Sequence, residues 1–483
     1  MHKPLFLIIP FFAIACSGSG NDPGKEDPTE EVEAVCTDSP VVLTLSSTPV
    51  LGKEGRIRVY DSSDKLVDEI NLSDMANVSI REDGQMIPVG QLTKESSFHT
   101  FLDAVKCAGR WRVIHYTPLR IDGNDLVIKL HSGVLDFGKK YYVTIDKGVI
   151  SGHGGVAKGD LTFQTKAKPS STDLKVNFDG SADFCTVQGA VSYAASLGKD
   201  ARVSIEIAEG RYYETVFIRD KNNLTIKGRS RDGSIIAYAN NESYANGSGA
   251  SATSKPSAGS AIGACGGRGV ILVEGCDNLV FSDLVVRNTF GEEKGQAETI
   301  YFNNDNGHLT IENCILTSLQ DTFLCKGYVY VHNSMIAGGC DFIWGYPKAC
   351  LFEDCEIRAD AEGYIVQARV NNAADKGFVF LNCMLTASFG IKDKSMFLAR
   401  SGGNDNYYDN VTYVNCTMYP VIASAGWYNN PAPNPATATA SSGWKEYGNK
   451  DVFGKAITGH SHCKYLSEAE SQAFASKSAV LGY

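Results

Sequence analysis

The chain has 483 residues, and its formal net charge is −10. This length exceeds that of one ordinary small domain and predicts two or more domains. The acidic balance argues against a nucleic-acid partner, which would call for a basic face, although it leaves room for an acidic polysaccharide bound in a local cleft. The 14 cysteines would suit a disulfide framework in an exported chain.

Residues 1–16 have the form of a bacterial export signal, with a basic start and an apolar stretch over 5–15 that is too short to span a bilayer. Residues 13–16 resemble a lipobox, so we expect lipidation of Cys16, with a plain signal peptide as the alternative. Residues 17–34 are acidic and almost free of apolar side chains, which predicts a flexible tether. The expected product is exported and lipid-anchored, at the periplasmic or cell-surface face of the outer membrane.

Residues 35–168 contain short β-rich runs, such as RIRVYD, DLVIKL and KYYVTI, separated by Gly-, Asn- and Asp-containing turns. Regularly spaced short strands predict a β-sandwich, and its ending is similar to the last strands of bacterial Ig-like modules. This part contains no paired carboxylates or metal-ligand spacing. We therefore expect it to act as a spacer or to contact carbohydrate.

Residues 171–483 repeat one pattern: an apolar residue, any residue, Asn or Asp, often Cys, and then apolar residues. The polar positions are Asp283, Asn313, Asn333, Asp354, Asn382 and Asn415. Uneven spacing of such positions predicts stacked rungs with inserted loops, and hence a right-handed parallel β-helix. A helix is expected over 187–197. The overall prediction is an all-β chain, in which an Ig-like β-sandwich precedes the β-helix.

Four cysteines follow polar positions of this pattern: Cys314, Cys355, Cys383 and Cys416. Their shared column favours buried, small apolar residues, and free thiols are favoured over disulfides.

Two aspartates share the local repeat of this pattern. Asn313 and Asn333 are 20 residues apart, and so are Asp321 and Asp341. If one rung is 20 residues long here, the two carboxyl groups lie on neighbouring strands, about 4.8 Å apart. Because two buried negative charges at this distance are costly, one group tends to hold a proton while the other stays ionised. Such a pair is suited to acid–base or nucleophilic chemistry.

The blocks LQDTFLC, GGCDFIWG, GYIVQARV, FLARS and AGWYN make the last 300 or so residues resemble the pectin methylesterases, a β-helix family of carbohydrate esterases. The paired QDT and DFIWG blocks are specific to that family. The resemblance implies hydrolysis of the methyl esters of galacturonic acid residues in pectic polysaccharide or oligosaccharide, with release of methanol.

The resemblance also implies catalytic roles. Asp341 matches the nucleophile, and Asp321 matches the acid that protonates methanol and then serves as a base. Gln296 and Gln320 match the two glutamines whose amides stabilise the oxyanion. Arg400 matches the arginine that pairs with the nucleophile and helps to bind substrate.

Two aromatic residues, Trp344 and Tyr364, fall on family positions that line the sugar groove. Family members usually have Pro-Trp after the arginine, whereas Ser401 and Gly402 stand here. The missing aromatic wall predicts a wider cleft for a branched pectic fragment, with Trp427 as a partial replacement or a core residue. No cofactor or metal is implied, and the expected assembly is a monomer.

The sequence leaves alternative functions open. One is a pectin-cleaving glycoside hydrolase or lyase on the same fold, although an inverting hydrolase holds its carboxylates farther apart, at about 6.5–9.5 Å. Another is a surface glycan-binding protein without catalysis. Release of methanol rather than reducing sugar distinguishes the esterase from both.

Overall fold

The structure is a computed structural model that describes residues 34–483, except 75–77, 81–85, 89–97, 244, 248, 250–264 and 291–294. The predicted export signal, Cys16 and the tether up to residue 33 lie outside the described residues. Within the described ranges, no helix is both long enough and apolar enough to cross a membrane.

The described residues before the parallel part include two antiparallel four-stranded sheets and a separate hairpin. The strands are β1 (Val41–Thr44), β2 (Arg56–Asp61), β3 (Leu66–Asn71), β4 (Val78–Ile80), β5 (Met86–Pro88), β6 (Phe98–Cys107), β7 (Arg110–Asp122), β8 (Asp125–Ile128), β9 (Lys140–Ile145) and β10 (Thr162–Gln164). One sheet has the order β1-β8-β7-β6, the other β10-β9-β2-β3, and β4 pairs with β5. A short 3-10 helix spans Leu72–Asp74.

The two four-stranded sheets pack around one core. Leu119 and Leu126 of the first sheet belong to the same buried apolar cluster as Val59 and Val143 of the second. Buried and more exposed residues alternate along β2 and β9, as expected of strands with one face toward a core. The predicted β-sandwich is therefore present, and we call it the sandwich.

A sheet of 23 strands extends over residues 173–465. Its strands are β11 (Asp173–Val176), β12 (Val203–Ile207), β13 (Gly210–Tyr213), β14 (Val216–Arg219), β15 (Leu224–Gly228), β16 (Ser234–Tyr238), β19 (Ile271–Glu274), β20 (Leu279–Ser282), β21 (Val285–Asn288), β22 (Ile300–Asn303), β23 (His308–Glu312), β24 (Ile315–Thr317), β25 (Phe323–His332), β26 (Met335–Glu353), β27 (Glu356–Ala368), β28 (Gly377–Leu381), β29 (Met384–Ala387), β30 (Met396–Ala399), β31 (Val411–Val414), β32 (Thr417–Met418), β33 (Trp444–Tyr447), β34 (Lys450–Asp451) and β35 (Lys464–Tyr465). Two short strands, β17 (Ala245–Asn246) and β18 (Cys265–Gly266), pair with each other.

Strands of the large sheet pair in parallel with strands one turn away, so β12 pairs with β15, β15 with β20, and β20 with β23. This connectivity is that of a parallel β-helix. Helix α1 (Val187–Ser196) packs buried residues into the same core, and the Thr186 side chain caps it by accepting from the Gly189 N–H. Two short helices, α2 (Glu468–Ser471) and α3 (Lys477–Leu481), lie near the C-terminus around a 3-10 turn at Gln472–Phe474.

The repeated Asn/Asp positions all have left-handed backbone geometry. Their φ angles lie between 47° at Asn333 and 55° at Asn382. Asn and Asp tolerate this region better than other side-chain-bearing residues, which explains the recurring residue types. The Asn313 amide also donates to Asp283 Oδ1 at 2.7 Å, on the neighbouring rung.

The four predicted column cysteines, Cys314, Cys355, Cys383 and Cys416, are buried free thiols in the β-helix core.

The sandwich packs against the outer face of the β-helix. One outward-facing register position carries Phe217, Leu272, Tyr301, Leu324 and Trp344 on successive turns, and we call this set the outer row. Val105 and Cys107 of β6 join the outer row in one buried apolar cluster. The sandwich thus covers a surface that would otherwise face solvent.

The left-handed backbone geometry of the repeated Asn/Asp positions yields a stability prediction at Asn382, which is exposed. Asn382→Ala should lower the free energy of unfolding by about 1 kcal/mol, because a Cβ without a compensating polar group is disfavoured at this φ. Asn382→Gly should be more stable than the Ala variant, which reverses the usual order of these residues in regular structure. Thermal and urea unfolding would measure this order, and an Ala variant at least as stable as the Gly variant would contradict it.

Candidate active site

The two aspartates lie on neighbouring rungs. Phe323 pairs with Ile343, so the offset between β25 and β26 is 20 residues at this point. A bridge joins Gln320 to Cys340, and the Asp321 N–H donates to the Cys340 carbonyl at 3.1 Å. This register places Asp321 beside Asp341, with both residues buried.

The stretch GGCDFIWG, which contains Asp341, packs tightly against the preceding rung because its glycines have no side chains to obstruct neighbouring atoms. Gly345 has a φ of 132°, and a Cβ there would lie 2.2 Å from the Cys325 carbonyl oxygen. Phe342 and Ile343 are fully buried in the β-helix core. Asp341 itself has a φ of 47°, and its side chain pairs with an arginine instead of joining that core.

Asp341 is held by two donors. The Arg400 Nε donates to Oδ1 at 2.8 Å and to Oδ2 at 3.1 Å, and the Arg400 Nη2 also donates to Oδ2. The Gln367 Nε2 donates to Oδ2 at 3.0 Å. The hydrogen bond to Asp341 raises the pKa of Arg400, so this guanidinium is firmly cationic. The arrangement favours an ionised, fixed carboxylate.

The orientation of Gln367 is set by Arg369. The Arg369 Nε donates to Gln367 Oε1 at 3.0 Å, and Nη2 donates to the same oxygen. Because a guanidinium can only donate, Gln367 must turn its oxygen toward Arg369 and its NH₂ group toward Asp341.

Asp321 has a different environment. The Arg268 Nη2 donates to its Oδ2 at 3.0 Å, and the same guanidinium pairs with the fully buried Glu298 at 2.9 Å. Burial raises the pKa of Asp321 well above its usual range, the negative charges of Glu298 and Asp341 raise it further, and Arg268 lowers it in part. This environment favours the protonated form of Asp321.

The two glutamines also occupy successive rungs. The Ala297 N–H donates to the Gln320 carbonyl at 3.1 Å, which places Gln296 one rung before Gln320. The Arg268 Nη1 donates to Gln296 Oε1. Because the Arg268 guanidinium can only donate, the Gln296 oxygen faces it and the Gln296 NH₂ group points away from it. Gln320 is half-buried.

The two aromatic residues differ in exposure. Trp344 is only 6% exposed, and the guanidinium groups of Arg369 and Arg268 lie 4.8 Å and 5.8 Å from its ring. It therefore offers little surface to a sugar, in contrast to its predicted place in the groove. Tyr364 is half-buried, and the Arg400 guanidinium lies 4.9 Å from its ring. A sugar-contacting role remains open to Tyr364.

The residues after Arg400 border a cavity of about 210 Å³. Its lining includes Arg369, Ser401, Gly402, Tyr407 and Asp409. The Ser401 hydroxyl donates to Asp409 Oδ2 at 2.8 Å, and burial raises the pKa of Asp409 to about 6.

Trp427 is a core residue. It is 1% exposed, stacks on Trp444 and donates to Glu446 at 2.7 Å. It therefore does not replace the missing aromatic wall.

Sequence reasoning assigned no role to Gln367, Arg369, Arg268 or Glu298. The first two lie in the quoted block GYIVQARV, so their motif was a usable signal. Arg268 stands alone in a glycine-rich segment, and Glu298 is one acid among many. Only the folded chain brings the last two to Asp321.

Among the described residues, one group has ligand atoms close enough to hold a metal: Cys36, Asp38 and Cys185. Asp38 already accepts hydrogen bonds from the Cys185 and Thr186 N–H groups, so its carboxylate has a structural role just before α1. The group is separate in sequence from the aspartate pair.

The fold and the site define a β-helix hydrolase whose buried carboxylate pair has amide donors beside it. Residues 173–482 match the pectinesterase family, and the chain belongs to that family. It is an enzyme whose reaction is hydrolysis of the methyl esters of pectin.

Individual relatives agree with this assignment. Pectinesterase 31 of Arabidopsis thaliana is 30% identical over 260 residues, which cover 53% of this chain and 76% of that protein. The pectin methylesterase structure from Aspergillus niger has a TM-score of 0.50 and 22% identity, and it covers 65% of this chain and 95% of its own. The pectin methylesterase from Erwinia chrysanthemi has a TM-score of 0.50 and 24% identity, with coverage of 65% and 98%. These structures confirm the right-handed parallel β-helix.

The contacts of Gln367 generate a prediction for activity. Gln367→Met should lower kcat/KM for methanol release by about ten- to a hundredfold, because a hydrogen bond to a charged group contributes about 1.5–3 kcal/mol. Gln367→Glu should cost more, since a second carboxylate would face Asp341 where a donor stood. Steady-state kinetics on methylated pectin would test this order. A Glu variant more active than the Met variant would contradict the role of the amide as a donor.

Proposed function

We propose that Asp341 is the nucleophile and Asp321 the acid–base in hydrolysis of galacturonate methyl esters. This proposal rests on the different environments of two adjacent carboxyl groups. Asp341 accepts from Arg400 and Gln367, which stabilises its charged form. Asp321 has a raised pKa, which stabilises its protonated form.

In the first half-reaction, an oxygen of Asp341 attacks the ester carbonyl carbon. Oδ2 accepts from both Arg400 and Gln367, whereas Oδ1 accepts from the Arg400 Nε. Oδ1 therefore keeps more lone-pair density free, and it is the attacking atom. The C–OCH₃ bond then breaks, and protonated Asp321 gives its proton to the departing methanol.

In the second half-reaction, the ionised Asp321 removes a proton from water, and the resulting hydroxide attacks the acyl carbon. The bond between that carbon and Asp341 breaks, so the nucleophile returns as a carboxylate, and the galacturonic acid product is released and gives its proton to solvent. Asp321 is again protonated for the next turnover, as microscopic reversibility requires of one acid–base group.

The negative oxygen that forms in both steps needs donors. Gln296 and Gln320 are the proposed donors, since they lie on the two rungs that lead to Asp341. The Arg268 contact supports this role for Gln296, because it leaves the NH₂ group available. Loss of one such donor typically costs about a hundredfold or more in rate.

The proposed substrate is a methyl-esterified pectic polysaccharide or oligosaccharide, bound by a monomer. Tyr364 and Arg400 are the proposed sugar contacts nearest the reacting ester, while the burial of Trp344 gives it a supporting place. The proposal of a wider cleft is supported by the cavity of about 210 Å³ beside Ser401 and Gly402, where family members usually have an aromatic wall. Arg369 also lines this cavity. A sugar branch next to the ester would fit there.

We also propose that residues 1–16 form a lipoprotein signal, 17–34 a tether, 35–168 an Ig-like module and 171–483 the catalytic β-helix. The export signal and the acidic tether support display on a membrane through acyl chains alone. The family match begins at residue 173, which supports a boundary between the preceding module and the catalytic β-helix.

The nucleophile is tested by Asp341→Asn, which keeps the shape of the side chain. We expect methanol release to fall by at least about a thousandfold, because the covalent route is lost. Asp321→Asn should cost a similar amount, and the double variant little more than either one, since the two groups act as a unit. The assay should use both linear and branched methylated substrates. An Asp341→Asn enzyme with a tenth of normal activity and unchanged unfolding would refute the assignment.

The anchor is tested by Cys16→Ser in an expressing bacterium. The variant should move from the membrane fraction to the soluble fraction, because the acylated thiol is absent. Its turnover on soluble substrate should match that of the unaltered enzyme. Retention in the membrane fraction would count against lipidation.

A further inference from the structure

Arg112 links the sandwich to the β-helix. This residue of β7 is fully buried, and its guanidinium donates to four backbone carbonyls of the β-helix. Nη1 donates to the Val216 oxygen at 2.9 Å and to the Val270 oxygen at 3.3 Å. Nη2 donates to the Gly267 oxygen at 3.0 Å and also to the Gly269 oxygen.

Two of these carbonyls flank Arg268 on either side. Gly267 has a φ of 74°, a conformation that glycine adopts without strain, so the chain can turn just before Arg268. The Asn240 side chain donates to the same two carbonyls, at 3.1 and 3.4 Å. Arg112 and Asn240 thus fix the backbone on both sides of Arg268.

Arg268 in turn contacts the proposed catalytic groups. Its guanidinium donates to Asp321, Glu298, Glu242 and Gln296. These contacts use Nε and both terminal nitrogens, so a shift of the backbone would disturb several of them together. The geometry of Arg268 therefore affects the proposed acid and one proposed oxyanion donor.

We propose that Arg112 of the sandwich is a positioning residue that holds the 267–270 turn and thereby aims Arg268 at Asp321 and Gln296. The sandwich then completes the support of the active site, instead of acting only as a spacer. This inference rests on the proposed role of Asp321 as the acid.

A purely structural role for Arg112 has different consequences. The interface has other contacts that contribute stability, including the outer row against Val105 and the hydrogen bond from the Tyr238 hydroxyl to the His115 carbonyl. If Arg112 acted only as another such contact, its loss would lower stability without changing the ionisation of Asp321. A positioning role predicts both effects.

The expected pH effect has a definite sign. The charged groups acting on Asp321 are Glu298 and Asp341, which raise its pKa, and Arg268 and Arg369, which lower it. Glu242 faces the same arginine from the other side. Displacing Arg268 removes a lowering influence, so Asp321 keeps its proton to a higher pH. The alkaline limb of kcat/KM, where the acid loses its proton, should then move upward.

The experiment compares the full-length chain with Arg112→Met, Arg112→Lys, Arg268→Gln and the matched interface control Tyr238→Phe. Methanol release on methylated pectin is measured against pH, together with the melting temperature. Arg268→Gln should move the alkaline limb up by about one pH unit, a usual effect for one close opposite charge. Arg112→Met should move it in the same direction and lower kcat/KM about tenfold, and Arg112→Lys should show part of both effects. Tyr238→Phe should lower the melting temperature with no movement of the limb.

The outcomes separate this inference from the proposed mechanism. If Arg268→Gln leaves the limb in place, the assignment of that limb to Asp321 is wrong. If Arg268→Gln moves the limb but neither Arg112 variant does, the positioning role is wrong and Arg112 is only structural. If Arg112→Met does not fold, Arg112→Lys and Asn240→Ala decide the matter, since each weakens the hold on the same two carbonyls.

Discussion

The chemistry of the site starts from a constraint of the fold: two buried aspartates occupy matching positions on neighbouring rungs. The 20-residue offset between β25 and β26 brings the two residues together, and their burial weakens screening by water. The protein accommodates it with two arginines from different rungs, Arg400 for Asp341 and Arg268 for Asp321. A buried pair of like charges without such partners would be strongly destabilising.

The two arginine contacts are unequal, and this inequality gives the chemistry its direction. Arg400 binds both oxygens of Asp341, and Gln367 adds a further donor. Arg268 divides its charge among three carboxylates, so Asp321 receives only part of it. Burial and the Glu298 charge then dominate, and the pKa of Asp321 rises. One carboxyl group is thereby prepared to attack and the other to give a proton.

The sandwich contributes contacts near this site, although it precedes in the chain the segment that matches the family. It covers part of the outer row, where Val105 and Cys107 join the same buried apolar cluster. Its residue Arg112 donates to the carbonyls that flank Arg268, and Arg268 in turn donates to Asp321. Part of the support for the reaction therefore comes from residues that a comparison restricted to the β-helix would omit.

The β-helix and the aspartate pair are predictable from the order of residues along the chain, because both follow from local spacing. Each left-handed turn prefers Asn or Asp, and the interval from Asn313 to Asn333 sets the rung length that brings Asp321 beside Asp341. Resemblance to a family added Gln296, Gln320 and Arg400. Folding alone reveals three further features: the contacts of Arg268, the orientation of Gln367 and the burial of Trp344. These depend on which loops and which neighbouring domain meet at the outer face, and no periodicity along the chain encodes that meeting.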